Sequence, residues 1–283
     1  AVLALAGIVI TLAVVPSADT HLLNRESSIV RGSFRKVLSN SRLLKLNFGI
    51  MCLHILLMSS FVALPLAMEK AGLAASEHWI VYLVTMLVSF AAVVPFIIYA
   101  EKYRRMKQVF MGCVAVLFCA EVLLWLSGAR LWGIIAGVQL FFIAFNVMEA
   151  ILPSLISKES PAGYKGTAMG VYSTSQFIGV AIGGSLGGWL YGLQGAGLVF
   201  IAGAVLAALW FLVSSTMKEP PYVSSLRITL SELAVKDSAL ESRLKAQPGV
   251  AEAIVVPEER SAYVKVDTKQ TNRGQLEALV NSL

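Results

Sequence analysis

The sequence predicts a mostly α-helical membrane protein: a six-helix transmembrane bundle followed by a small α+β module. Three observations carry that expectation. Hydrophobic residues make up 57% of the 283 positions and charged residues only 14%, against roughly 25% charged in a soluble domain. The hydrophobicity is concentrated ahead of Pro220, in runs long enough for helical spans. The loops between those runs carry a lopsided charge.

The chain opens on "AVLALAGIVITLAVVP", about 15 apolar residues, short of the roughly 20 that span a bilayer. It lacks the basic start and the cleavage site of a signal peptide. Residues 1–16 are therefore expected to be the end of a truncated transmembrane helix, and the chain a fragment. Residues 17–42 read as a basic cytoplasmic loop and residues 43–217 as the bundle. Six apolar segments run from Leu43 to Met68, Trp79 to Ala100, Val109 to Ser127, Leu131 to Ser157, Gly166 to Tyr191 and Gly197 to Ser215. In lipid each must pair its own backbone and so form a helix; a porin-type barrel would show short alternating strands instead. Residues 218–221 are a linker and 222–283 a cytoplasmic domain.

Charge sets the orientation. Successive loops hold 6, 1, 4, 1, 2 and 0 basic residues, which puts the rich loops and the C-terminal module in the cytoplasm. Ahead of Tyr222 there are 15 Lys and Arg against 9 Asp and Glu; from Tyr222 onward there are 8 of each. The basic character thus belongs to the membrane loops, and no nucleic acid is expected as a partner. Cys52, Cys113 and Cys119 lie singly in apolar runs, so neither disulfide nor zinc is expected; nor is any cofactor or other metal.

Gly183-Gly184-Ser185-Leu186-Gly187 fits the G-x-S-x-G pattern of a serine hydrolase. That elbow needs a strand before the serine and a histidine beside it. Ser185 instead sits mid-span, and His21, His54 and His78 are not placed near it. Gly179, Gly183 and Gly187, with Gly184 and Gly188, fit better as a smooth face, two residues wide, on which another helix packs closely. No enzyme is expected.

Six spans behind a partial one, with a long basic loop between, resemble the C-terminal half of a major facilitator superfamily transporter. "IIYAEKYRRMKQ" is similar to that family's cytoplasmic loop motif G-x-x-x-D-R-x-G-R-[RK]. Glu101 stands at the Asp, Lys102 at the first Arg, Arg105 at the second and Lys107 just beyond, while Ile97 and Arg104 replace the glycines. The glycine run resembles the antiporter motif G-x-x-x-G-P-x-x-G-G, with Gly184 in place of Pro. In the tail, Leu226, Ile228 and Leu230 alternate as a strand. Ala239, Leu240 and Leu244, stopped at Gln247-Pro248-Gly249, read as an amphipathic helix. "VAEAIVV" and "AYVKVDT" read as strands and "RGQLEALVNSL" as a helix. The result is a ferredoxin-like β-α-β-β-α domain lacking its last strand. Its wording resembles heavy-metal-associated domains, but "TLSELAVKDSAL" has no soft metal ligand where they carry M-x-C-x-x-C. A facilitator half with such a tail resembles transporters of the bacterial inner membrane.

Polar residues inside a bundle are costly and face its interior. Gln139, Phe142, Asn146, Glu149 and Pro153 share one helix face, as do Asn47, Met51, His54, Met58, Phe61 and Pro65. The resemblance makes both helices, and Tyr172 and Gln176, candidates to line a substrate cavity. Glu149, Glu121 and His54 are the proton-coupling candidates. A charged Glu121 facing lipid would cost roughly 2.5–3.5 kcal/mol, so it should point inward or stay protonated. The family implies a secondary transporter moving small amphipathic or drug-like compounds by proton-coupled alternating access. Its partners are the lipid bilayer, an N-terminal half, a small-molecule substrate and protons. The alternative is a membrane-anchored sensor or scaffold whose tail binds a ligand or partner. The tail, attached a few residues after the last span, is expected to touch the cytoplasmic face of the bundle.

Overall fold

The computed structural model describes residues 1–17 and 24–282; His21 lies outside them. Eight helices precede the tail: α1 (Val2–Val14), α2 (Phe34–Leu38), α3 (Ser41–Lys70), α4 (His78–Lys102), α5 (Met106–Ser127), α6 (Leu131–Glu159), α7 (Lys165–Gln194) and α8 (Ala196–Ser215). Within 17–42, the short α2 interrupts what reads in sequence as loop. Five helices, α3 to α6 and α8, are long and apolar enough to cross a membrane. Helix α7 is the sixth of the expected segments. Helix α7 has the length, at 30 residues, but its glycines, serines and threonines dilute the hydropathy. A helix lined with glycine gains its place by close packing, not by apolar area.

That packing is the main seam of the bundle. A Cβ on Gly179 would come 2.5 Å from the Met51 carbonyl oxygen, one on Gly183 2.7 Å from that of Ile55, and one on Gly187 2.7 Å from the Ser59 Cα. Every fourth residue of α7 thus lies on the backbone of α3. The expected second column is not part of this contact: Gly184 and Gly188 have open space where a Cβ would stand. One residue further round a helix is a turn of about 100°, enough to leave the seam. Across the bundle, Trp210 of α8 is fully buried against Gly49 and meets Phe110 edge-on at 5.9 Å.

The tail forms β1 (Ser224–Thr229), α9 (Glu232–Lys236), α10 (Leu240–Lys245), β2 (Val250–Val256), β3 (Ser261–Val266) and α11 (Arg273–Asn281). The sheet is antiparallel in the order β1-β3-β2, and no fourth strand joins it among the described residues. The one expected helix between the first strands is two. The Ser231 side chain caps α9, and the Asp237 carboxylate then accepts the Ala239 amide at 2.9 Å, restarting the chain as α10. Leu240, Leu244, Ala253, Val264, Val266, Leu276 and Val280 form the core of this domain.

The seam makes an asymmetric prediction. Gly183→Ala should destabilise the protein by about 1–3 kcal/mol, because backbone on both helices must shift. Gly184→Ala should change stability by no more than about 1 kcal/mol. Thermal unfolding of the two variants in detergent checks this.

Candidate functional site

Two polar candidates from different helices meet inside the bundle. His54 Nε2 of α3 lies 3.1 Å from Glu149 Oε1 of α6; the imidazole is 6% exposed and the carboxyl 34%. The other ring nitrogen, Nδ1, lies 3.1 Å from the Ile50 carbonyl oxygen. A carbonyl only accepts, so Nδ1 carries its hydrogen. Nε2 would then present a bare lone pair to the Glu149 oxygen unless a second proton lies between them. The contact is attractive either as imidazolium with carboxylate or as imidazole with carboxylic acid. Both descriptions contain one shared proton and differ only in where it sits. Four residues beyond Glu149, Pro153 has no N–H for the Glu149 carbonyl, which loses its helical partner there.

Aromatic rings lie beside the pair and further along the same helices. Phe145 stands edge-on to His54 at 5.7 Å. Phe61 is exposed and lies 5.9 Å from Phe142 and 6.0 Å from Tyr82. Asn146 donates to the Phe142 carbonyl at 2.8 Å and reaches the Met86 sulfur at 3.8 Å. Tyr172 is buried on α7, Gln176 is half-buried one turn further on, and Met51 and Met58 are half-buried on α3. Asn47 is buried with an unpartnered Oδ1. Phe145, Tyr82 and Met86 escaped the sequence reading because aromatic and thioether side chains are ordinary in an apolar run.

Two candidates lie apart from this group. Gln139 donates to the Thr85 carbonyl and to Ser89 Oγ, both at 3.2 Å, and so ties α6 to α4. Glu121 of α5 is 1% exposed; its Oε1 accepts from Ser60 of α3 at 2.9 Å, its Oε2 is unpartnered, and Gly203 of α8 makes room for it. It points inward, as expected, into a contact of three helices.

The loop motif serves a different contact. Glu101 accepts from Ser154 at 2.6 Å and from Lys158 at 3.1 Å, joining the end of α4 to the end of α6. Lys102 and Arg105 are exposed and Lys107 is half-buried. Arg104 stands at a motif glycine and keeps a glycine's backbone, with φ +55°. Its guanidinium reaches both carboxylate oxygens of Asp267 in the tail, at 2.8 and 3.0 Å. That bond holds the Asp267 carboxyl below its ordinary value. Lys265, 3% exposed, donates to the Ser157 carbonyl, to the Lys158 carbonyl at 3.1 Å and to Ser160 Oγ at 3.3 Å. A cation there satisfies carbonyls that the end of α6 leaves free, though burial pushes its ammonium down to about 8. Arg25, ahead of α2, donates to Glu259 at 2.8 Å, and its amide donates to the Tyr263 hydroxyl at 3.1 Å. The tail is thus seated on the bundle, on three separate segments. A lysine in the middle of an otherwise apolar strand was the available sequence signal.

Comparison with known proteins follows the same division. A family model described as Major Facilitator Superfamily matches residues 1–184, and one described as YajR YAM domain matches 226–282. The chain belongs to the major facilitator superfamily. It is 62% identical over 280 residues to the inner membrane transport protein YajR of Escherichia coli K12, covering 99% of this chain and 62% of that protein. It is 36% identical over 185 residues to an uncharacterized transporter of Buchnera aphidicola from Baizongia pistaciae, covering 64% of this chain and 47% of the relative. The chain therefore spans roughly half to two thirds of these relatives' lengths. The likeness to an inner-membrane protein and the five apolar helices place it in the inner membrane as a multi-pass protein. The relatives bear transporter names, and the family is one of carriers, not enzymes.

Two predictions concern the seated tail. A left-handed backbone costs a non-glycine residue about 1–2 kcal/mol, and a partly exposed ion pair contributes no more than about 1 kcal/mol. Arg104→Gly should therefore leave the melting temperature of the bundle unchanged or raised while loosening the tail, read as faster proteolysis at residues 218–221. Lys265 titrates lower when docked, near 8, than its free value of 10.5. Between those values the released tail binds more protons than the seated one, so docking tightens as pH rises through that window. Protection of the linker from an alkaline protease should increase from pH 8 to 10 in the native protein, and Lys265→Met should abolish the increase.

Proposed function

We propose that this chain is the C-terminal half of a secondary transporter that moves small amphipathic, drug-like compounds across the inner membrane by proton-coupled alternating access. In this reading residues 43–217 form one half of the transporter, residues 17–42 connect it to an N-terminal half, and residues 222–283, joined through 218–221, are a cytoplasmic domain. The observation that carries the reading is the 3.1 Å approach of His54 Nε2 to Glu149 Oε1, a contact that becomes attractive when one proton is shared between them. With the proton the pair is neutral overall; without it the pair holds one negative charge. A group of that kind, partly exposed, with Phe145 edge-on to the imidazole and Phe61 and Phe142 two turns along the same helices, would exchange a proton for an amphipathic cation. The cation's charge would replace the proton's, and its apolar body would lie on the aromatic rings and on Met58. Such sites lie at the interface of two halves near the bilayer midplane, which fits the exposure of Glu149 on a half standing alone. Glu121, sealed among three helices, is assigned a structural role.

The test uses the full-length protein in proteoliposomes with an inside-acid gradient and a pH-sensitive dye, challenged with a panel of amphipathic cations. Glu149→Gln should lower compound-dependent proton movement at least tenfold, and His54→Gln should do likewise. Glu121→Gln, which keeps the shape and an acceptor for Ser60, should retain it. Loss in Glu121→Gln with retention in Glu149→Gln would overturn the assignment.

A further inference from the structure

The charged groups at the cytoplasmic ends of α3, α5 and α8 converge on a pocket separate from the His54–Glu149 pair. Arg42 and Lys45 are the second and fifth residues of α3, Lys107 is the second of α5, and Lys218 lies just beyond α8, and all four line the same cavity. Its floor is apolar, made by Leu46, Leu155 and Met217. One carboxylate, Glu159, shares the cavity and pairs with Arg42 at 3.2 Å. Lys45 donates to the Thr216 carbonyl at 3.1 Å. Among the described residues, Lys107 and Lys218 have no ion-pair partner. The cavity thus holds four cations and one anion.

The helix ends make this imbalance sharper. Neither α3 nor α5 has an acidic residue in its first turn, where the helix dipole is positive and favours anions. Both place lysine or arginine there instead. Asn40 caps the first amides of α3, Glu159 pairs with Arg42 and the Thr216 carbonyl accepts from Lys45, so the unanswered charge is that of Lys107 and Lys218, which an anion from outside would neutralise. The level of the cavity identifies its source. Helix α3 begins at Ser41, α5 at Met106, and α8 ends at Ser215, so the cavity lies where the spans leave the hydrocarbon and meet the headgroups. Its apolar floor opens among the same helices.

We infer that this pocket binds the phosphate of an anionic phospholipid headgroup in the cytoplasmic leaflet, with Lys107 and Lys218 as its unpaired cations and Leu46, Leu155 and Met217 against the glycerol and upper acyl carbons. Basic pockets between helices on the cytoplasmic side are suited to such headgroups, with each cation near the surface adding to the attraction. A free phosphate shares the charge but gains nothing from the apolar floor.

Native mass spectrometry of the full-length protein, with phosphatidylglycerol and phosphatidylcholine mixed in equal amounts, reads the preference directly. The wild type should retain phosphatidylglycerol over phosphatidylcholine, and the double variant Lys107→Gln/Lys218→Gln should lose about tenfold or more of that preference. Glu159→Gln, which frees Arg42, should raise it. Melting temperatures of the wild type and the double variant in lipid-free detergent should match, since neither lysine is ion-paired. In the same detergent, phosphatidylglycerol should stabilise the wild type where equimolar inorganic phosphate does not. Equal preference in wild type and double variant, or stabilisation by inorganic phosphate as large as by the lipid, would overturn the inference.

Discussion

The bundle depends on the contact of α3 with α7, where three glycines of one helix rest on the backbone of the other. No side chain separates them, so the spacing of the two helices is set by main-chain atoms and cannot relax by rotamer changes. Met51, His54, Ile55 and Ser59, whose main chain meets those glycines, are thereby held in a fixed register along α7. His54 is one of them. The residue that places a titratable ring in the interior therefore sits on the stretch of α3 whose main chain is pressed against α7. Its Nδ1–H is engaged by Ile50 of the same helix, which leaves Nε2 aimed at α6.

Much of this was legible in the sequence, and the limits have physical causes. Hydropathy and loop charge reveal spans because lipid punishes every unpaired backbone group alike. The glycine period of four reveals a close-packed helix, but not which of two adjacent columns makes the contact: Gly179, Gly183 and Gly187 do, while Gly184 and Gly188 face open space. Intramembrane acids stand out in a sequence because they are rare there. Their partners do not, since the pairing of Glu149 with His54 and of Glu121 with Ser60 depends on the offset between helices far apart in the chain. Gln139 shows the same limit. It shares a stripe with Glu149 in sequence, yet its amide is occupied by α4. In the tail, the strand pattern was clear, while the break between α9 and α10 turned on one carboxylate, that of Asp237.

The two intramembrane acids differ in setting. Glu121 has a single hydrogen-bond donor and no route to water, so a change in its protonation would leave a charge with nowhere to turn. Glu149 has a basic partner on one side and partial exposure on the other. The cytoplasmic end follows a further pattern, in which single residues of a loop motif are reused: Glu101 binds α6, while Arg104 binds the tail through a backbone shape that glycine would adopt more easily.

Because Arg104, Lys265 and Arg25 tie one small domain to three separate segments, the spacing of those segments is written into a water-soluble sheet. A change in that spacing must be taken up in the strands or in the bonds that seat them. The seated domain is in effect a strain gauge bonded to the bundle, and a shift in its strands would report a change of shape within the membrane.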